Sequence, residues 1–280
     1  MDHQEKFARS IRERYQLAPE CPCGKSNRDG KFSPIIGSMG AAGYCHSCDQ
    51  FFTPDDPRPE QREIEPDPEP KTIPASVRKR SCNPAYYHRN GLFQWFATHF
   101  PSEQVIEAFQ LYRVGTNRKG ETVFWTCEPD GAARQPRETA YTSQGKRAHH
   151  KTGLPPKRYQ AAEGYRACAF GAHLLTQRPK DPVAIVESEK NALAGALLHP
   201  EHIWLATLGA SGWGKITELR EHLHGREVTV FPDCDTPGRQ LAQAVAAILT
   251  QANITNRVID LDPTRFDGYD IADFMTESSH

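Results

Sequence analysis

The sequence predicts an α/β protein whose parallel, helix-flanked sheet occupies the last third of the chain. Three observations support this. Short β-branched runs alternate with helical patterns from residue 182 onward, which is typical of strands joined by helical crossovers. A stretch with antiparallel alternation precedes them, which indicates an α+β subdomain. Four cysteines lie close together near the N-terminus, in a segment with few apolar residues.

Composition and charge argue against a membrane protein, a secreted protein and a protein that is basic overall. The net charge is −1 over 280 residues, so the chain has no overall basic character. Charge is nevertheless segregated, with seven acids in residues 54–70 and seven Lys or Arg in residues 134–158, where Glu138 is the one acid. No apolar run approaches the ~20 residues that span a bilayer, and the charged N-terminus has no signal-peptide pattern. We therefore expect a cytoplasmic protein without membrane contact, whose cysteines stay reduced.

The first predicted domain comprises residues 1–53. It opens with an amphipathic helix on which Phe7, Ile11 and Tyr15 share a face, and four cysteines follow it. Their C-x-C and C-x2-C spacings suit a tetrahedral structural zinc in a zinc ribbon, because four thiolates leave no open position. His46 is an alternative ligand, and four free cysteines are the alternative to a metal site. The proposed zinc ligands are Cys21, Cys23, Cys45 and Cys48.

Residues 54–74 contain seven prolines along with the acidic cluster, so we expect a stiff, extended linker. Residues 75–181 form the predicted α+β subdomain. Helical patterns cover residues 86–100 and 102–112, with Ser102 as a predicted N-cap, and strand patterns cover residues 111–117, 121–131 and 137–142. The aromatic residues of this region are more simply core than base-stacking platforms.

A basic segment at residues 145–160 (GKRAHHKTGLPPKRYQ) closes this subdomain. It is either a solvated loop or a nucleic-acid-binding surface, and its lack of acids favours contact with a phosphate backbone. The adjacent residues His149 and His150 are expected to be polar surface. The candidate nucleic-acid-binding residues are Lys146, Arg147, Lys151, Lys157 and Arg158.

The last predicted domain, residues 182–280, reads β-α-β-α-β-α-β. Strands are predicted at residues 183–188, 202–207, 228–232 and 257–261, with helices at 189–198, 212–223 and 236–252. The small residues of 208–214 (LGASGWG) predict a turn whose amides could approach a phosphate. Asp270 and Asp273 follow on a predicted terminal helical turn.

Acids lie at the ends of two of the predicted strands in this domain. Glu187 follows the first strand, and Asp233 and Asp235 follow the third, two residues apart and therefore on one side of an extended chain, with Cys234 on the other. Ligands gather outside the carboxyl ends of parallel strands. Carboxylates placed there predict a site for a hard divalent cation in phosphoryl chemistry. The competing interpretation is helix capping, which suits Asp235 before Thr236.

The order Glu187, then Asp233-x-Asp235 followed by Pro237 and Gly238, resembles the Toprim pattern of primases, topoisomerases and related nucleases over residues 182–275. With an upstream zinc ribbon, the chain is similar to bacterial DnaG-type primases. Residues 86–115 and 155–175 resemble the same family more weakly. The resemblance implies a Toprim domain preceded by a primase-core subdomain, in a compact protein of the mobile-element or phage type.

The resemblance also implies template-directed synthesis of RNA primers, a DNA-directed RNA polymerase activity used in DNA replication. Its partners would be single-stranded DNA and nucleoside triphosphates, with a replicative helicase as a further candidate. Asp233, Asp235 and Asp270 would position Mg²⁺ or Mn²⁺, and Glu187 would be a further ligand or the proton acceptor.

The chain departs from the family at Asn191. A second acid is expected there, four residues after Glu187, whereas this chain has Glu189 two residues earlier. An asparagine can bind a cation through its carbonyl oxygen but brings no charge. Two alternative functions remain: a Toprim metal-dependent nuclease with the same acids, and a non-catalytic nucleic-acid-binding protein.

Overall fold

The structure is a computed structural model that describes residues 11–35, 42–47, 50–53, 69–209, 212 and 214–278. It divides into two compact units, Met1–Pro68 and Glu69–His280. Most of the predicted linker and the start of the predicted N-terminal helix, with Phe7, lie outside the described residues.

The first unit consists of one helix and a small antiparallel sheet. Its elements are α1 (Ile11–Leu17), β1 (Phe32–Pro34), β2 (Gly43–Cys45) and β3 (Gln50–Phe52), with strand order β1-β2-β3. Asn27 is buried at its centre, accepts a hydrogen bond from the Phe32 amide at 2.7 Å and donates to the Ala18 carbonyl at 3.0 Å. The core is very small, formed by Ala18, Cys21, Phe32, Cys45 and Phe52.

The second unit begins with helices and a four-stranded antiparallel sheet. The helices are α2 (Ala75–Ser81), a 3-10 turn (Pro84–Arg89), α3 (Gly91–Phe96) and α4 (Ser102–Leu111). The sheet has the order β4-β5-β6-β7, made by β4 (Val114–Thr116), β5 (Thr122–Cys127), β6 (Ala133–Tyr141) and β7 (Arg147–Leu154).

Local capping explains where this region differs from its prediction. The Asn90 side chain accepts from the amides of Leu92 and Phe93, so it starts α3 and divides the first predicted helix. The prediction of Ser102 as an N-cap is wrong, because Pro101 occupies that position and Ser102 is the first helical residue. The strand β7, within the basic segment, was not predicted.

The second unit ends with a parallel sheet and its helices. After two 3-10 turns (Lys157–Tyr159 and Ala161–Glu163), its elements are α5 (Leu174–Gln177), β8 (Val183–Val186), α6 (Glu189–Leu198), β9 (Ile203–Ala206), α7 (Gly214–Glu218), α8 (Arg220–Leu223), β10 (Val228–Val230), α9 (Thr236–Gln251), β11 (Asn256–Val258) and α10 (Ile271–Ser278). All strand pairs are parallel, in the order β11-β10-β8-β9.

The predicted mixed α/β class is confirmed, and packing explains it. Every residue of β8 and β9 is buried, as expected for strands covered on both faces. Helix α6 lies so close to β9 that a Cβ at Gly195 would collide with the Trp204 ring, and Trp204 stacks on Phe231 with ring centroids 5.3 Å apart. Among the described residues, no helix is long and apolar enough to cross a membrane.

Candidate active site

The candidate site lies at the carboxyl edge of the parallel sheet. Strands β8 and β10 are neighbours in register, with Ile185 opposite Val230. Glu187 directly follows β8, and Asp233 lies three residues beyond the end of β10. The sheet therefore delivers both acids to the same edge, as the strand pattern predicted.

A short backbone bridge adds Asp270 to this edge. The Cys234 amide donates to the Tyr269 carbonyl at 2.8 Å, and the Gly268 amide donates to the Cys234 carbonyl at 3.2 Å. The Cys234 side chain is fully buried, with its thiol 3.4 Å from Asp260 Oδ1. Residues on either side of the bridge, Asp233 and Asp235 on one segment and Asp270 on the other, are thereby held as neighbours.

The electrostatics of Asp233 show that these carboxylates act on one another. Burial raises the pKa of Asp233, and the charges of Asp270, Glu187 and Asp235 raise it further, to about 8. Lys190 opposes this shift only in part, and its Nζ lies 3.8 Å from Asp270 Oδ2. Without a cation, the site therefore holds more negative charge than its surroundings can neutralise.

Two of the acids also cap helices, as the competing interpretation suggested for Asp235. Asp235 Oδ1 accepts from the Gly238 amide at 2.7 Å and begins α9. Asp270 Oδ1 accepts from the amides of Ala272 and Asp273 at 2.9 and 3.0 Å and precedes α10. Each cap uses one carboxylate oxygen and fixes its side chain in place, and the second oxygen of Asp270 faces Lys190.

Gly238 allows α9 to approach the acids closely. A Cβ on this residue would lie 2.5 Å from the Asp233 carbonyl oxygen and 3.0 Å from Asp235 Oδ1. A side chain here would force the helix away from the acidic loop. Steric crowding therefore explains why the residue at this position is a glycine.

The carboxylates of this site suit a cation that keeps part of its water shell better than a cation coordinated by protein ligands alone. Among the described residues, no three carboxylates bring one oxygen each within 4.8 Å of one another. Mg²⁺ is usually held by one or two carboxylates, with water and phosphate oxygens completing its shell. The wide spacing of the carboxylates matches that mode of binding.

Residues of the first turn of α6 complete the site and were not among the predicted site residues. Asn191 is buried, and its Nδ2 donates to Asp233 Oδ1 at 3.3 Å. Glu189 is also buried but contacts Arg137 of β6, with Nη1 and Oε1 3.0 Å apart. The motif around Glu187 pointed to Asn191 and Glu189, but nothing local in the sequence indicated Arg137.

The basic segment lies partly beside this site. Desolvation lowers the pKa of Arg147, but Tyr141, with Glu189 and Asp233, raises it by a larger amount. Arg147 therefore lies within the field of the acidic site. Lys146, Lys157 and Arg158 are exposed, and Arg158 covers the Tyr159 ring at 4.8 Å. The side chains of Lys151, His149 and His150 lie outside the described residues, as do residues 210, 211 and 213 of the predicted turn.

The first unit contains a separate candidate metal site. Cys21, Cys23 and Cys45 bring their sulfur atoms within 4.8 Å of one another, with Cys23 Sγ 3.0 Å from Cys21 Sγ and 3.9 Å from Cys45 Sγ. Sulfurs bound at about 2.3 Å around a tetrahedral zinc lie roughly 3.8 Å apart. The distance between Cys23 and Cys45 matches this value, whereas Cys21 and Cys23 lie closer together and would have to separate around an ion. The fourth predicted ligand, Cys48, lies outside the described residues. His46 is not part of this cluster, and its Nε2 lies 3.4 Å from Ser33 Oγ.

Comparison with known proteins gives a family and three similar structures. A family model described as "Domain of unknown function (DUF6371)" matches residues 90–234, more than half of the chain. No curated protein matches significantly.

The chain is similar in structure to a DnaG catalytic core at 12% identity, with 73% of this chain and 74% of that one covered and a TM-score of 0.48. The zinc-binding and RNA polymerase domains of the Aquifex aeolicus primase give 12% identity, 89% and 72% coverage and a TM-score of 0.42. The RNA polymerase domain of Mycobacterium tuberculosis primase DnaG gives 13% identity, 73% and 78% coverage and a TM-score of 0.47.

Proposed function

This chain belongs to the DUF6371 family, and we propose that it is a metal-dependent nucleotidyltransferase of the Toprim, primase-like kind. Its reaction would be the synthesis of short RNA primers on single-stranded DNA. The observation that carries this proposal is the set of four acids at the carboxyl edge of the sheet, where burial and the neighbouring charges raise the pKa of Asp233 to about 8. Such a cluster is costly to the folded chain unless a cation neutralises it.

Nucleotidyl transfer joins a 3′ oxygen to the α-phosphorus of a nucleoside triphosphate and releases pyrophosphate. A divalent cation, Mg²⁺ or Mn²⁺, supplies charge neutralisation at the phosphate oxygens. Asp233, Asp235 and Asp270 are the acids that would hold it, one or two of them directly and the others through bound water. Glu187 is a further ligand or the group that accepts the proton of the 3′ hydroxyl.

The surrounding residues support a polyanionic substrate. Lys146, Lys157 and Arg158 are exposed cations that would contact the template backbone. In the first unit, Cys21, Cys23 and Cys45, with Cys48 as the fourth ligand, would hold a structural zinc, as in a ribbon that grips single-stranded DNA.

The test is primer synthesis on single-stranded DNA with labelled ribonucleoside triphosphates and Mg²⁺ or Mn²⁺. The decisive variant carries Asp233→Asn and Asp235→Asn, because asparagine caps a helix as well as aspartate and leaves the start of α9 intact. Asp181→Asn is the matched control, since Asp181 precedes β8 at the opposite end of the strand from Glu187.

We expect the wild type and the control to extend primers and the double variant to lose at least ~100-fold in rate. Shortening of the DNA without ribonucleotide incorporation would replace the proposal with a nuclease. If the wild type binds single-stranded DNA but neither binds a divalent cation nor changes the DNA, the non-catalytic alternative is correct.

A further inference from the structure

We propose that Asn191 is a neutral ligand of the divalent cation at this site, acting through its side-chain oxygen Oδ1. The inference rests on the proposed function, because it needs a cation beside Asp233. It goes further by assigning a ligand that carries no charge and by predicting how its replacement changes the affinity for the ion.

Within the described part of the chain, Asn191 Oδ1 has no hydrogen-bond partner. The residue is 1% exposed, and among the described residues this oxygen accepts no hydrogen bond. A buried polar atom without a partner costs about 1–3 kcal/mol. Because Oδ1 has no hydrogen bond from the described residues to lose, the carboxamide can turn to present this oxygen to a partner, and the adjacent acids indicate that the partner is a cation.

The side-chain amide of Asn191 faces the acidic site, and the residue is held in place there. Asn191 Nδ2 donates to Asp233 Oδ1 at 3.3 Å. The backbone amide of Asn191 donates to Ser188 Oγ at 3.2 Å, which fixes the start of α6. A half-turn of the carboxamide exchanges its nitrogen and oxygen, so the same side chain can present Oδ1 to a cation bound by Asp233. Side-chain carbonyl oxygens are ordinary ligands of hard cations.

Glu189 has the nearest carboxylate on α6, and it does not take the place of Asn191 beside Asp233. Glu189 lies two residues before Asn191, but its Oε1 forms an ion pair with Arg137 Nη1 of β6 at 3.0 Å, without a hydrogen bond to any described residue. The α6 side chain that contacts Asp233 is that of Asn191. The neutral amide therefore occupies the position on α6 that adjoins Asp233. An aspartate there would add a negative charge next to Asp233, whose pKa is already raised by burial and by three carboxylates.

The experiment is a titration of the full chain with Mn²⁺ in the absence of nucleotide. The electron paramagnetic resonance signal of free Mn²⁺ measures how much of the ion is bound at each point. The variants are Asn191→Ala, which removes the oxygen, and Asn191→Asp, which keeps an oxygen and adds a charge. We expect Asn191→Ala to weaken binding about ten-fold or more. We expect Asn191→Asp to tighten it about ten-fold, because affinity for hard cations rises with the charge of the ligands.

A purely structural role gives the opposite result for one variant. If Asn191 only donates a hydrogen bond to Asp233, then Asn191→Asp loses the donor, and Mn²⁺ binding weakens in both variants. That pattern, or unchanged binding in Asn191→Ala, overturns the inference and leaves the proposed function intact. If the wild type binds no Mn²⁺, both proposals fall.

Asp181→Asn again serves as the control and should bind Mn²⁺ like the wild type. Thermal unfolding in EDTA shows which variants are folded before titration. If Asn191→Ala does not fold, Asn191→Ser takes its place, and weaker Mn²⁺ binding is again expected because the hydroxyl is shorter than the carboxamide. The added charge should make Asn191→Asp less stable than the wild type in EDTA, and Mn²⁺ should reverse that difference.

Discussion

The amide of Cys234 donates a hydrogen bond to the carbonyl of Tyr269 at 2.8 Å, and this contact joins the two acidic segments of the site. Asp233 and Asp235 flank one end of the bridge, and Asp270 follows the other. Because both ends are backbone groups, the arrangement does not depend on the side chains that it positions. Acids can therefore be replaced one at a time without removing the bridge itself.

The raised pKa of Asp233 predicts a specific dependence of stability on pH. The folded pKa is about 8 and the reference value is 3.8, so between these values the folded state binds more protons than the unfolded state. The free energy of unfolding contributed by this group is largest below pH 4 and falls as the pH rises toward 8. Each pKa unit corresponds to about 1.4 kcal/mol, so the effect is on the order of a few kcal/mol.

We therefore expect Asp233→Asn to raise the Tm above that of the wild type in EDTA at pH 8.5, and to lose most of this advantage at pH 5. It should also abolish the rise in Tm that Mg²⁺ causes in the wild type. Thermal unfolding by circular dichroism measures both effects. A lower Tm for Asp233→Asn at pH 8.5 would contradict the repulsion between these carboxylates.

Gly238 predicts a steric test of the same loop. In Gly238→Ala, the new Cβ would lie 2.5 Å from the Asp233 carbonyl oxygen, so the start of α9 must shift. We expect a loss of about 1–3 kcal/mol in the free energy of unfolding, typical of an overpacked site, together with weaker Mn²⁺ binding. Gly214→Ala is the matched control, because a Cβ on Gly214 would meet no neighbouring atom within 4 Å. If urea denaturation gave the two variants the same loss in the free energy of unfolding, α9 would not approach the acidic loop as closely as Gly238 indicates.

The sequence was most informative where structure is determined locally. Buried β-branched runs predicted the parallel strands, and the acids that follow two of these runs predicted a common edge, because the side-chain period and the crossover rule act over short segments. Asp235 before Thr236 likewise predicted a helix N-cap at the start of α9.

Contacts between distant segments could not be predicted in the same way. The position of Asp270 depends on the Cys234–Tyr269 bridge, which leaves no pattern in either segment. Strand β7 has the sequence RAHHKTGL, which lacks apolar alternation, and it forms by pairing with β6. The contact of Glu189 with Arg137 depends on α6 packing near β6, which composition does not reveal.

This ion pair predicts an asymmetric response to mutation. Glu189 is 5% exposed in its side chain, so Arg137→Ala leaves a buried carboxylate without its partner and should cost about 3 kcal/mol in the free energy of unfolding. Adding Glu189→Gln should recover part of that loss, and urea denaturation of the double-mutant cycle isolates the coupling. Arg265→Ala is the control, because Arg265 pairs with exposed acids, and its loss should stay below about 1 kcal/mol.

The cysteine cluster predicts one zinc ion per chain. Burial raises the pKa of the Cys21 thiol, with hydrogen bonding to Cys23 as a further cause, so zinc binding should release a proton from Cys21. We expect Cys21→Ser and Cys45→Ser to lose the ion in elemental analysis, whereas Cys82→Ser, which alters a half-buried thiol of the second unit, should retain it. Full zinc content in the double variant Cys21→Ser, Cys45→Ser would rule out this site.

The exposed cations of the basic segment predict how DNA binding depends on salt. Each phosphate contact with a single strand contributes about 0.7 to the slope of log affinity against log salt concentration. Replacement of Lys146, Lys157 and Arg158 by alanine should therefore reduce that slope by about 2, measured by fluorescence anisotropy of a labelled oligonucleotide. A control triple variant removes other exposed cations, Lys79, Lys180 and Arg220, and should keep the wild-type slope. Equal slopes in all three proteins would show that the template binds elsewhere, whereas a reduced slope only in the first variant would assign the phosphate contacts to this segment.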